Sequence, residues 1–124
     1  LIHTTLYQAF DIGCVMHTHS PYSAFLSRHY NEKIEFAGYE VLKALENHDT
    51  HQTKEVMPIY PNTQDMTEFS KWLKEGLETH PAHHGFLISG HGLYTWGKSI
   101  ASAKRQVEAI EFLLHQEFMR LQIG

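Results

Sequence analysis

The amino-acid sequence predicts an α/β sandwich arranged around one sheet. Short apolar runs of strand length alternate with longer segments whose apolar residues recur at helical spacing, and the connections between them are short. No internal repeat, low-complexity tract or linker interrupts the series. A length of 124 residues with 42% apolar side chains suits one domain with one ordinary core.

Residues 1–10 read as loosely helical, with Leu6 and Phe10 on one face, and Gly13 ends that pattern. Cys14, Val15 and Met16 form a short apolar run expected to be a buried strand, with Cys14 a small hydrophobe inside it. Ser20 followed by Pro21 marks a helix entry. The serine hydroxyl can accept from a first-turn N–H, and a proline at the first helical position has no N–H to leave unpaired. The helix is expected over 21–29. A second short helix is expected over 38–46, with Val41, Leu42 and Leu45 apolar, followed by a polar loop over 48–54. Residues 56–60 read as a strand stopped by Pro61-Asn62-Thr63. Residues 65–80 place Met66, Phe69, Leu73 and Leu77 at helical spacing, and Pro81 lies just past the end. Residues 84–89 and 93–96 read as strands joined by a tight Gly90-His91-Gly92 turn. The longest helix is expected over 99–121, with Ile100, Ala103, Val107, Ile110, Leu114 and Leu121 as its buried stripe; this is read as core packing rather than a coiled-coil seam.

The formal charge of −4 and the scattered cations (Lys71, Lys74, Lys98, Lys104 and Arg105) leave no basic stripe to neutralise phosphates, which argues against a nucleic-acid partner. A single cysteine excludes an internal disulfide and a cysteine-rich zinc ribbon, and is compatible with a reducing cytoplasm. No run is long and apolar enough to cross a bilayer, and no signal peptide is recognised, so no membrane partner is expected. The chain opens at Leu1 without a methionine, inside a helical pattern, so the natural protein is expected to extend upstream.

The chain holds 11 histidines, and two groups of them carry chemistry. His17 and His19 stand two apart at a strand end, a spacing that projects both from the same side of an extended chain. Two imidazoles so placed can face one ion. A catalytic zinc takes three protein ligands at about 2.0–2.1 Å and keeps one position open. His91 is the candidate third ligand: it follows a buried strand, and its glycine neighbours permit backbone angles and close approaches that a side chain would forbid. Alone, the His17–His19 pair also fits ordinary polar residues at a strand end, and Gly90-His91-Gly92 fits a plain hairpin turn. Their combination favours a metal. His3, His29, His48, His51, His80, His83, His84 and His115 read as structural or solvated. Glu40, in the apolar setting Tyr39-Glu40-Val41-Leu42, is either a proton-carrying carboxylate with a raised pKa or a solvated glutamate favoured by a helix start.

The residues resemble a known family. Val15-Met16-His17-Thr18-His19-Ser20 is similar to the strand end that carries two metal ligands in class II aldolase-type enzymes, and Ser89 to Gly97 is similar to their third-ligand turn. Within that family the ending Tyr94-Thr95-Trp96-Gly97 most resembles the methylthioribulose-1-phosphate dehydratases, and Tyr39-Glu40-Val41-Leu42-Lys43 matches the position of their catalytic acid/base. The resemblance covers essentially the whole chain. It implies a three-layer α/β/α sandwich with a central, mainly antiparallel sheet, a Zn2+ cofactor on His17, His19 and His91, and Glu40 as proton carrier. Lys43 would contact the substrate phosphate, although a solvated lysine fits as well. The implied reaction is dehydration of 5-methylthioribulose 1-phosphate to 2,3-diketo-5-methylthiopentyl 1-phosphate in methionine salvage, by a cytoplasmic homotetramer acting on a small sugar phosphate. Family members also carry an upstream segment whose loops cradle the phosphate, and residues 1–124 are expected to begin after it. Two other readings stay open: a related sugar-phosphate aldolase or epimerase, and a non-catalytic adducin-type scaffold, which would lack the ligand set. Phe25, Leu26 and Trp96 fit core positions as well as a thioether pocket.

Overall fold

The computed structural model describes residues 4, 6–7, 12–36, 55–62, 65–79 and 84–123. In chain order the elements are β1 (Cys14–Thr18), α1 (Pro21–His29), β2 (Lys33–Phe36), β3 (Glu55–Tyr60), α2 (Met66–Thr79), β4 (Gly85–Ile88), β5 (Gly92–Gly97) and α3 (Ile100–Ile123). The helix expected over 38–46 and the polar loop after it lie outside the described residues, as do Glu40, Lys43, His3, His48, His51, His80 and His83. Of the first helix, Thr4, Leu6 and Tyr7 are described and helical, with Leu6 fully buried.

These three helices start where the side-chain chemistry dictates. Ser20 caps α1, its hydroxyl accepting from the Ser23 N–H at 3.0 Å, with Pro21 in the first turn. The Asp65 carboxylate accepts from the Glu68 N–H at 3.0 Å ahead of α2, and the Ser99 hydroxyl accepts from the Ser102 N–H at 3.1 Å ahead of α3. Each bond satisfies an N–H that has no partner inside its helix.

The strands form one sheet in the order β1-β5-β4-β3-β2. Three of its pairings are antiparallel, and β3 with β4 is parallel. Side-chain alternation along the strands divides the core in two. On one face Leu87 and Leu93 join Ile34, Phe36, Met57, Ile59, Leu26 of α1, and Ala109, Ile110, Leu113 and Leu114 of α3. On the other face Phe86, Ile88, Tyr94 and Trp96 join Leu6 and Phe69 and Leu73 of α2. Helices therefore cover both faces, giving the three-layer, mainly antiparallel α/β/α sandwich that the resemblance implied.

Several expectations are corrected. Strand β2 was not anticipated: its Lys33-Ile34-Glu35-Phe36 alternation buries Ile34 and Phe36 but offers only two apolar positions, too few to stand out from a loop. Strand β1 and Cys14 are half-buried rather than buried, because β1 pairs with β5 alone and has no described strand on its other side. Ile100 is 71% exposed, since it sits at the very start of α3, before the helix meets the sheet. Val107 and Leu121 are only half-buried, and the stripe is completed instead by Gln106, Ala109, Leu113 and Glu117. The buried Glu117 carboxylate is satisfied by the Tyr30 hydroxyl and by a two-point bond from Arg120, at 2.9 and 2.7 Å.

Candidate metal centre

The site begins with the register of β1 on β5. His17 stands opposite Tyr94, and Thr18 opposite Leu93. Alternation then sends His17 and, just beyond the strand, His19 to one face and Thr18 to the other. The third histidine comes from the β4–β5 turn. Gly90 adopts a φ of +68°, the left-handed region, and the His91 N–H closes the turn onto the Ile88 carbonyl at 2.9 Å. Helix α1 holds the same turn, with the Ser27 hydroxyl accepting from the Gly90 N–H at 2.9 Å. The two glycines flanking His91 do different work. Gly90 supplies the positive φ. Gly92 lets the strands close, for a Cβ there would lie 2.1 Å from the Thr18 carbonyl oxygen.

These constraints bring three imidazoles together. Ring centroids are 4.3 Å apart for His17 and His19, 4.6 Å for His19 and His91, and 5.2 Å for His17 and His91. One potential ligand atom from each lies within 4.8 Å of the others. Two of the rings are oriented by backbone carbonyls: His17 Nδ1 lies 2.7 Å from the Leu93 oxygen, and His19 Nδ1 lies 3.2 Å from the His91 oxygen. A carbonyl oxygen only accepts, so each Nδ1 carries a hydrogen, and Nε2 is the ring nitrogen left to face a metal. A metal ligand is commonly oriented in this way, by a hydrogen bond to its other ring nitrogen. His17 also stacks on Tyr94, at 4.0 Å and 19°, and Tyr94 stacks in turn on Phe86 at 5.3 Å. Burial raises the Tyr94 hydroxyl above its usual pKa, so the ring beneath His17 stays neutral. His17 and His91 are half-buried and His19 is exposed, which leaves the cluster open on one side. Three imidazole nitrogens with an open approach fit a divalent metal of the zinc type.

The other sequence candidates divide. His84 is buried at the head of β4, where its carbonyl accepts from the Thr95 hydroxyl at 2.5 Å. His115 is exposed and stacks on Tyr22 at 4.3 Å, and His29 is exposed beside Phe25. Leu26 and Trp96 are core residues, whereas Phe25 is 50% exposed on α1. Tyr94, the Leu93 carbonyl and Ser27 all orient the centre and were not anticipated. Register on β1 would have pointed to the first two, but it becomes visible only once the strand partners are known. No helix among the described residues is long and apolar enough to cross a membrane.

The sequence profile of the family described as class II aldolase and adducin N-terminal domain matches residues 1–118. The chain is 47% identical over 126 residues to a methylthioribulose-1-phosphate dehydratase of Xanthomonas campestris pv. campestris (strain 8004), covering 99% of this chain and 58% of that protein. It is 48% identical over 120 residues to a protein of the same name from Stenotrophomonas maltophilia (strain R551-3), covering 94% of this chain and 56% of that protein. The chain thus spans little more than half the length of these relatives. Among solved structures, an L-fuculose-1-phosphate aldolase from Thermus thermophilus matches 99% of this chain and 61% of its own with a TM-score of 0.71 at 19% identity, a likeness of fold.

Proposed function

The chain belongs to the class II aldolase and adducin N-terminal domain family, and from that premise we propose that it carries the zinc centre of a methylthioribulose-1-phosphate dehydratase. The observation that supports this reading most is the convergence of His17, His19 and His91 with two of their rings oriented by carbonyls. The names of relatives 47% and 48% identical favour the dehydratase over an aldolase or epimerase. A retained ligand set speaks against a non-catalytic scaffold.

In this reading His17, His19 and His91 hold Zn2+. Bound there, the ion would supply Lewis acidity toward the ketose carbonyl, which would make the neighbouring C–H more acidic. The chain must then move one proton. Glu40, the carboxylate named by the resemblance, takes the proton from C3 and delivers it to the C4 hydroxyl, which leaves as water. The C–H and C–O bonds break, a carbon–carbon double bond forms between C3 and C4, and the resulting enol relaxes to 2,3-diketo-5-methylthiopentyl 1-phosphate. Lys43 is proposed as a phosphate contact. The remaining phosphate contacts, the cytoplasmic setting and a homotetrameric assembly are part of the same proposal.

The test is turnover of 5-methylthioribulose 1-phosphate by the full-length protein, followed by product analysis. The diketone with release of water is expected; cleavage to shorter aldehydes would assign an aldolase instead. A Glu40→Gln variant should retain its zinc and lose roughly hundredfold to ten-thousandfold in kcat, the usual range for a displaced acid/base. An unchanged rate would remove Glu40 from the mechanism.

A further inference from the structure

We propose that Glu111 of α3 is a positioning residue for the histidine centre and acts through Thr18. The inference rests on the reading that His17, His19 and His91 hold a metal. Thr18 lies between the two ligands on β1, and its side chain points to the opposite face of the sheet. There its hydroxyl donates to Glu111 Oε1 at 3.0 Å, across 93 residues of sequence, and both side chains are half-buried. A hydroxyl bound to a carboxylate is stronger than a neutral pair.

Thr18 is held from other directions as well. Its carbonyl is pressed against Gly92, where no Cβ would fit, and its strand partner is Leu93, whose own carbonyl orients His17. The tether matters because β1 is hydrogen-bonded to β5 alone in the described sheet, and His19 lies beyond the last paired residue. A swing of the β1 tip moves both His17 and His19 against His91, which is held separately by its own bond to the Ile88 carbonyl and by the bond from the preceding Gly90 to Ser27. Metal ligands tolerate errors of only a few tenths of an ångström. The Thr18–Glu111 bond ties that tip to the longest helix of the fold. His17 stacks on Tyr94, which packs in the α2-side core, while Glu111 belongs to α3 on the other side. Glu111 therefore acts through the strand and does not touch the ion.

The experiment measures zinc affinity by competition with a chelator, alongside metal-free melting, for the full-length protein and the variants Thr18→Val, Glu111→Ala and their double. Thr18→Ser and Glu111→Gln are the conservative controls, since each keeps its side of the hydrogen bond. Each disruptive variant is expected to weaken zinc binding about tenfold, at the low end for groups that orient a metal's ligands without touching the metal. The double variant should lose the same factor rather than the product, because one bond is removed either way. The conservative variants should bind close to wild type, and metal-free melting should change little throughout. Wild-type affinity in Thr18→Val, or multiplied losses in the double, would overturn the inference; the second result would mean that Thr18 and Glu111 act independently. If Glu111→Ala fails to fold, Thr18→Val against Thr18→Ser decides alone. A wild-type protein that takes up no zinc would overturn the three-histidine reading itself, whereas zinc uptake with unaffected variants would overturn only the tether.

Discussion

Gly92→Ala is expected to be the most damaging single-methyl addition near the site, destabilising the fold by about 3 kcal/mol, at the upper end for overpacking. An alanine Cβ would stand 2.1 Å from the Thr18 carbonyl oxygen, 3.2 Å from its carbon and 3.3 Å from His17 Cε1. The first two atoms are backbone, so no rotamer change relieves the clash. Strand β5 must separate from β1, and that pairing carries His17 over Tyr94. Zinc binding should weaken together with stability. Gly90→Ala offers the contrast. The nearest obstacle there is the flexible Arg28 side chain, at 3.1 Å, so its cost is the left-handed φ of +68°, about 1–2 kcal/mol. Thermal melting of both variants checks this. A drop of about 10 °C or more for Gly92→Ala fits the expected energy, and melting equal to that of Gly90→Ala would contradict it.

His91→Ala is expected to weaken zinc binding by roughly a hundredfold to a thousandfold. Apparent binding energies of about 10–16 kcal/mol for four-ligand structural zinc sites give about 2.5–4 kcal/mol per ligand, and each 1.4 kcal/mol is tenfold. His91 isolates that contribution well. Its ring is half-buried rather than core, and its carbonyl, which orients His19, survives the substitution. Changing His17 would also remove a ring that stacks on Tyr94. Chelator competition should therefore show a large loss for His91→Ala with metal-free melting close to wild type. Retained affinity would exclude His91 as a ligand.

What could be read from the sequence follows from the range of the forces involved. Ser20-Pro21 fixed the start of α1, and the spacing of Phe69 and Leu73 fixed the buried face of α2, because caps and helical stripes are local. The His17–His19 spacing and the glycines around His91 were legible for the same reason, since strand alternation and turn geometry constrain a few neighbouring residues. Strand β2 was not legible because its signal is two apolar residues, and its place follows from pairing with a distant strand. Ile100 and Phe25 look like core by type, and their exposure depends on where their helices meet the sheet. Tyr94 under His17 and Glu111 behind Thr18 depend on register and on helix placement across 76 residues or more, which no local pattern encodes. Family resemblance, rather than periodicity, supplied Glu40 and Lys43, and both lie outside the described residues.

Zinc-edge X-ray absorption of the full-length protein tests the three-histidine centre most directly. About one zinc per chain is expected, with three imidazole nitrogens at about 2.0–2.1 Å and an oxygen ligand in the open position. A spectrum lacking imidazole scattering, or one unchanged when His91 is replaced by alanine, would contradict it.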